Sequence, residues 1–249
     1  MSPSEGWEER AAEWLAWART PDFDAYWLYR DAFFALVPAP AGRTLEVGCG
    51  EGRVTRDLVA RGHRVTALDA SPTLLRAAAE RDPDGEYVLG DAEALPLDDG
   101  VFDLVVAYNV LMDVADMPAT VAEAARVLAP GGRFCACVTH PLQTAGDWED
   151  GLEAPDAPDG PGAPRFVIDR SYLDSAPFAL TMEERGLPMT FDGMVHPLEA
   201  YTVALETAGL AIEALREPRP GPAADARPGW HRWRRIPMFL MFRAVRVPG

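Results

Sequence analysis

The chain has 249 residues and a formal net charge of −16. That length suits one well-buried α/β domain with additions, and the acidity argues against nucleic acid or an anionic membrane surface as partner, since both need a basic footprint. All 23 basic residues are arginine, which excludes chemistry that needs lysine: a Walker phosphate loop, a pyridoxal Schiff base, a kinase lysine or a Tyr-x-x-x-Lys dehydrogenase.

No apolar run is long enough to span a bilayer, and acidic residues precede the apolar ones at the N-terminus, without the cationic start of a signal peptide. Cys49, Cys135 and Cys137 lack metal-ligand spacing, and the last two fall on one face of a strand. They are expected to be small core residues of a reduced, cytoplasmic protein, a monomer or homodimer.

Residues 5–19 place Trp7, Ala11, Trp14, Leu15 and Ala18 at helical spacing, with Glu8, Glu9 and Arg10 turned away, which predicts one amphipathic helix. After Thr20-Pro21-Asp22, residues Tyr26, Trp27, Arg30, Phe33 and Phe34 predict a second helix ending before Pro38. Two roles are open for this aromatic pair: covering a sheet edge, or closing over a site whose cation is drawn to the ring faces.

From Arg43 the chain alternates as parallel α/β units do. A strand over 44–48 runs into Gly48-Cys49-Gly50-Glu51-Gly52, followed by a helix over 52–60. Such a turn permits positive φ and brings backbone amides against a ligand. A dinucleotide fingerprint wants a small residue where Arg53 stands, so a pyrophosphate is disfavoured. The next strand, 64–69, ends in Asp69, about 20 residues beyond the first glycine, where a carboxylate can hold a ribose diol.

Ser71 is a plausible N-cap for a helix from Pro72. A strand over 86–89 leads to Gly90-Asp91-Ala92-Glu93-Ala94-Leu95-Pro96, and a turn at Asp98-Asp99-Gly100 precedes a strand ending at Ala107-Tyr108-Asn109. A helix over 118–128, the turn Ala129-Pro130-Gly131-Gly132 and a strand over 133–139 complete the repeat. Ligands gather outside the carboxyl ends of parallel strands, which puts Asn109 and Val110 to Val114 beside the site.

Positions 44–139 resemble the class I S-adenosylmethionine (SAM) dependent methyltransferases along their whole length, with Glu46 two places before the first glycine of Gly48-x-Gly50-x-Gly52. The resemblance implies an α/β fold with a Rossmann-like seven-stranded sheet in the order 3-2-1-4-5-7-6, and SAM as cofactor. It implies cofactor contacts from Glu46, Gly48, Cys49, Gly50, Gly52, Asp69 and Ala70. Asp91 would accept from the adenine amino group, Ala92 would contact adenine through its amide, and Asn109 would lie beside them. No Asn-Pro-Pro-Tyr follows the fourth strand, which points away from nucleic acid bases. Asp113 and Asp116 lack the further acidic partner of a catechol-type magnesium site, so no metal is expected.

Residues 141–196 break the repeat and are rich in Pro, Gly and Asp, with short β-like runs at 166–168 and near 180–182. A connection this long is functional or disordered, and mobility is expected at 155–164. The resemblance makes it the insertion that builds the acceptor pocket. A helix over 197–208 stops at Gly209, and strands over 210–215 and 237–245 end the chain. The organisation expected is one domain: N-terminal helices (1–42) as a lid, a SAM-binding core (43–140), a substrate-side insertion (141–196) and a helix with a strand pair (197–249).

Methyl transfer from a sulfonium needs alignment, exclusion of water and at most one proton acceptor. His140, directly after the fifth strand, and His196, at a helix N-terminus where the dipole disfavours imidazolium, are the candidate bases. Each has the alternative of being a satisfied loop histidine. His63 is expected to face solvent away from the site, and Trp230-His231-Arg232-Trp233-Arg234-Arg235 to be a solvated or capping cluster, or else an anion clamp. Tyr172 and Tyr201 are possible pocket residues. The function expected is SAM-dependent methyl transfer to an O or N atom of a small, partly apolar molecule. The alternative is a non-methylating SAM-binding protein of the same fold, pericyclase-like or regulatory. An NAD-linked oxidoreductase is disfavoured by Arg53 and the missing lysine.

Overall fold

In the computed structural model, residues 3–149, 165–227 and 229–247 are described. The N-terminal periodicity forms two helices, α1 (Pro3–Glu9) and α2 (Ala11–Arg19), where one was expected. The break falls at Arg10, which leaves helical geometry (φ −95°, ψ 4°) while its guanidinium pairs with Asp192 of a distant hairpin. Helix α3 (Tyr26–Phe34) lies on a face of the sheet and not at its edge: Tyr29 and Phe33 share a core with Val106, Cys135, Cys137 and Met241.

The central units are β1 (Arg43–Val47), α4 (Arg53–Ala60), β2 (Arg64–Asp69), α5 (Pro72–Arg81), β3 (Glu86–Leu89), β4 (Phe102–Tyr108), α6 (Met117–Val127) and β5 (Leu128–Thr139). Local chemistry sets the helix starts. Ser71 Oγ accepts from Leu74 N at 3.1 Å with Pro72 in the first turn, and Asp116 Oδ1 accepts from Ala119 N at 2.9 Å. Strand β5 begins earlier than expected because Leu128 already pairs with Phe102 before a register shift.

The chain continues through α7 (Pro141–Thr144), β6 (Gly146–Trp148), β7 (Phe166–Ile168), β8 (Ala176–Glu184), β9 (Leu187–Val195), α8 (Leu198–Thr207), β10 (Leu210–Arg216) and β11 (Phe239–Arg246). The seven-stranded sheet runs β10-β11-β5-β4-β1-β2-β3, with β11 antiparallel to both neighbours. Counting β10 and β11 as sixth and seventh, this is the expected order. One sheet face packs Leu45, Val105 and Phe134 against Val121 of α6 and Leu205 of α8; the other packs Val106 and Cys135 against Phe33 of α3 and Leu58 of α4. Burying each large apolar side chain contributes about 1.5–3 kcal/mol, which fixes the strand ends that carry the site.

The insertion is more regular than expected. β8 and β9 pair in unbroken register from Ala176↔Val195 to Glu184↔Leu187, turning through Arg185 and Gly186. The run 155–164 lies outside the described residues. No helix among the described residues is long and apolar enough to cross a membrane. His63 is buried, against the expectation of exposure, because its Nδ1 lies 3.1 Å from Thr44 Oγ1 on the neighbouring strand.

Candidate cofactor and acceptor site

The turn after β1 is built for close approach. Gly48 has φ +68°, and a Cβ there would come within 2.5 Å of Val110 Cγ2, so only glycine fits between the turn and the loop after β4. Gly50 N donates to Asp69 Oδ2 at 2.7 Å, and Ser71 N donates to Asp69 Oδ1 at 2.9 Å. Burial raises the Asp69 pKa, and these amides act in the opposite direction. Each carboxylate oxygen keeps a further lone pair for a ligand.

A cavity of about 1210 Å³ opens above this turn. Gly48, Cys49, Gly50, Asp69 and Ala70 line it, together with Asp91, Ala92 and Asn109. Asn109 holds a left-handed conformation (φ 55°) at the carboxyl end of β4, with its N–H donating to Cys137 O at 2.8 Å. Its Oδ1 is buried without a hydrogen-bond partner among the described residues, an acceptor that a ligand would satisfy.

Aromatic side chains cover the turn: a Cβ at Gly50 would lie 3.3 Å from Trp14 Nε1. Trp14 and Trp17 of α2 meet Phe191 of β9 edge to face, at centroid distances of 6.5 and 5.7 Å. Arg53 pairs with Asp24 at 2.5 Å and lies over Trp14 (4.9 Å) and Tyr26 (4.5 Å), tying this roof to the start of α4. The hairpin is pinned to the loop after β4 by Met194 N donating to Met112 O at 2.7 Å.

Residues 45–136 match a family described as a methyltransferase domain. The malonyl-[acyl-carrier protein] O-methyltransferase of Serratia marcescens is 40% identical over 113 residues, 44% of each chain. The demethylmenaquinone methyltransferase of Mycolicibacterium gilvum is 40% identical over 114 residues, 46% of this chain and 49% of that one. The chain thus spans less than half the length of these curated relatives. The crystal structure of a SAM-dependent methyltransferase from Mesorhizobium loti gives a TM-score of 0.72 at 29% identity, covering 90% of this chain and 99% of that one. Residues 45–136 are thus a methyltransferase domain, and the fold is that of the SAM-dependent methyltransferases.

The residues of this domain fit SAM as cofactor. Asp69 retains acceptor capacity beside the turn, and the orphaned Asn109 Oδ1 offers a further polar contact. When bound, SAM supplies an activated methyl group on a sulfonium. The protein's share is to hold the nucleoside, align the acceptor and exclude water.

Two expected cofactor residues lie off the cavity wall. Glu46 sits beneath the turn, where its carboxylate accepts from Thr55 Oγ1 at 2.5 Å and burial pushes its pKa up to about 8. Gly52 serves as the left-handed N-cap of α4, where a Cβ would meet Ala78 Cβ at 3.0 Å.

The two histidines are placed differently. His140 lies off the cavity wall: its Nδ1 accepts from Leu142 N at 3.0 Å, capping α7, and its Nε2 is 2.9 Å from Glu217 Oε1. His196 is on the wall, with Nδ1 2.9 Å from Ser175 Oγ and Nε2 buried without a partner among the described residues. Burial lowers the His196 pKa, favouring the neutral ring.

Tyr201 lines the cavity and Tyr172 does not. Around Trp230 the solvated reading fails: Arg232 and Trp233 are buried, and Trp230 and Trp233 join the wall. Sequence reading missed Phe191 and Met194 of β9, and it saw Arg53 only as a departure from a fingerprint. The Arg185-Gly186 pair is the local signal that could have revealed the hairpin.

Proposed function

We propose that this methyltransferase transfers a methyl group from SAM to an O or N atom of a small, partly apolar molecule. The observation that supports this most is that one cavity is lined both by the Gly48 turn and by the aromatic side chains of α2 and β9. At about 1210 Å³ it is large for a single ligand, given that pockets for one drug-sized molecule run from about 300 to 1,000 Å³. The surplus accommodates an acceptor beside the cofactor.

In this reading Asp69 holds the ribose, Asp91 and Ala92 the adenine, and Asn109 the space between them and the acceptor. His196 Nε2 takes the proton released by the acceptor O–H or N–H. His140 acts through the chain, fixing α7 and with it Gln143 and Thr144 of the wall. The N-terminal helices, core, insertion and C-terminal strands work as one unit around the cavity, in the cytoplasm, as a monomer or homodimer.

Incubation with methyl-labelled SAM and pooled phenols, amines and carboxylic acids tests the reading. Mass spectrometry should find a labelled product matched one to one by S-adenosylhomocysteine (SAH). Binding of SAH with no labelled product, from the pools or from a small-molecule extract of the source cells, would favour the non-methylating alternative.

A further inference from the structure

Among the described residues, the β8–β9 hairpin contributes to neither sheet core. Its apolar side packs into a third cluster, in which Trp17, Phe23 and Met189 are buried with Trp14, Met182 and Phe191 against them. The base of the hairpin is tied to the loop after β4 by the Met194–Met112 hydrogen bond. Its outer half rests on the N-terminal segment: Arg10, at the break between α1 and α2, pairs with Asp192, and Arg185 at the tip lies over the Phe23 ring at 5.5 Å. A two-stranded hairpin alone is marginal in water, and so are helices of seven and nine residues. Each supplies the apolar surface that the other lacks, which makes α1, α2 and β8–β9 one cooperative unit.

The same helices are seated beside the glycine turn. Glu8 of α1 accepts from Ser71 Oγ, from Thr73 Oγ1 at 2.6 Å and from Thr73 N at 3.2 Å, and Ser71 N in turn donates to Asp69. Trp14 of α2 stands over the turn itself, its Nε1 close to Gly50 and its ring under the Arg53 guanidinium at 4.9 Å. From that position it meets Phe191 of β9 edge to face, with the ring centroids 6.5 Å apart. Both side chains line the cavity. One indole thus reaches from the turn to the hairpin.

A ligand shifts a conformational equilibrium only through interactions that differ between the two states. A cofactor on the Gly48 turn gains the Trp14 indole while α2 is docked, and a docked α2 holds β9 with it. We propose that SAM binding completes the acceptor wall: Trp14 is the positioning residue that couples the occupied turn to the β8–β9 hairpin. The wall on the hairpin side is therefore assembled once the cofactor is in place. This rests on the methyl-transfer reading and adds to it the coupling between its two ligands.

Amide hydrogen exchange followed by mass spectrometry, with and without SAH, tests the coupling. At roughly a hundred times the SAH dissociation constant, full coupling would slow exchange by about a hundredfold; β8–β9 peptides should slow by at least about tenfold, together with peptides carrying the Gly48 turn and Asp69. In Trp14→Ala, at the same multiple of its own dissociation constant, the slowing of β8–β9 should shrink to about twofold or less while the turn stays protected. A merely structural role for Trp14 would speed exchange of the free protein and leave the SAH-dependent slowing intact. Phe191→Ala, which cuts the contact from the hairpin side, serves as a second variant should the first fail to fold, and the wild-type comparison needs neither. A protected turn with unchanged β8–β9 exchange in the wild type, or slowing that survives in full in either variant, would overturn the proposal. SAH that protects neither the turn nor the hairpin would instead remove the methyl-transfer reading, and the proposal with it.

Discussion

Gly50 donates its backbone N–H to Asp69 Oδ2 across 2.7 Å, so the glycine turn after β1 and the carboxyl end of β2 are one construction. Asp69→Ala should remove both the ribose acceptor and the group that orients the Gly50 and Ser71 amides. We expect SAH binding to weaken by about a hundredfold, or about 2.7 kcal/mol, in calorimetry. An unchanged dissociation constant in a folded variant would remove the ribose assignment.

His196→Ala and His140→Ala should separate chemistry from support. The first should lower kcat by about 10²–10⁴-fold with SAH affinity intact. The second should cost about 1 kcal/mol of stability through loss of the α7 cap, seen in urea unfolding, with a smaller effect on kcat. Because burial lowers the His196 pKa, its neutral form persists below pH 6.5, so kcat/KM should fall on the acid side with an apparent pKa under that value. An acid limb that is unchanged in His196→Ala would assign it to another group.

Gly193→Ala should loosen the roof. A methyl group there meets the Met112 carbonyl oxygen, opposing the Met194–Met112 hydrogen bond that docks β9. A destabilisation of about 1–3 kcal/mol is expected, together with faster proteolysis within β8–β9. Proteolysis at the wild-type rate would show that the hairpin tolerates the displacement.

Glu46 carries a pH dependence with a definite sign. Its folded pKa of about 8 lies above the ordinary 4.5, so between these values the folded state keeps a proton that the unfolded chain releases. The group's contribution to stability therefore falls as pH rises through that window. Glu46→Gln, which can still accept from Thr55, should lose less stability than wild type between about pH 5 and 9, judged by urea midpoints. Parallel curves for the two proteins would contradict the assignment.

What could be read from the chain was local. Strands β2 and β3 have the expected bounds, Ser71 caps α5, and the turn at Gly48 and Asp69 come together because a strand, a tight turn and a strand end are each encoded by neighbouring residues. What could not be read depends on distant partners. The helix break at Arg10 answers to Asp192, the burial of His63 to Thr44, and the orientation of His140 to the Leu142 amide and Glu217. Strand β8 alternates weakly because Leu180 and both neighbours are exposed, so its pairing left no clear period in the sequence. The aromatic wall was visible only as helical spacing at Trp14 and became part of a site through contact with Phe191.

The most direct test is a crystal structure of the protein with SAH. The account predicts ribose hydroxyls within hydrogen-bond distance of Asp69, adenine beside Asp91 and Ala92, and the sulfur facing the part of the cavity lined by His196. A nucleoside bound elsewhere, or a sulfur turned away from that part, would contradict it.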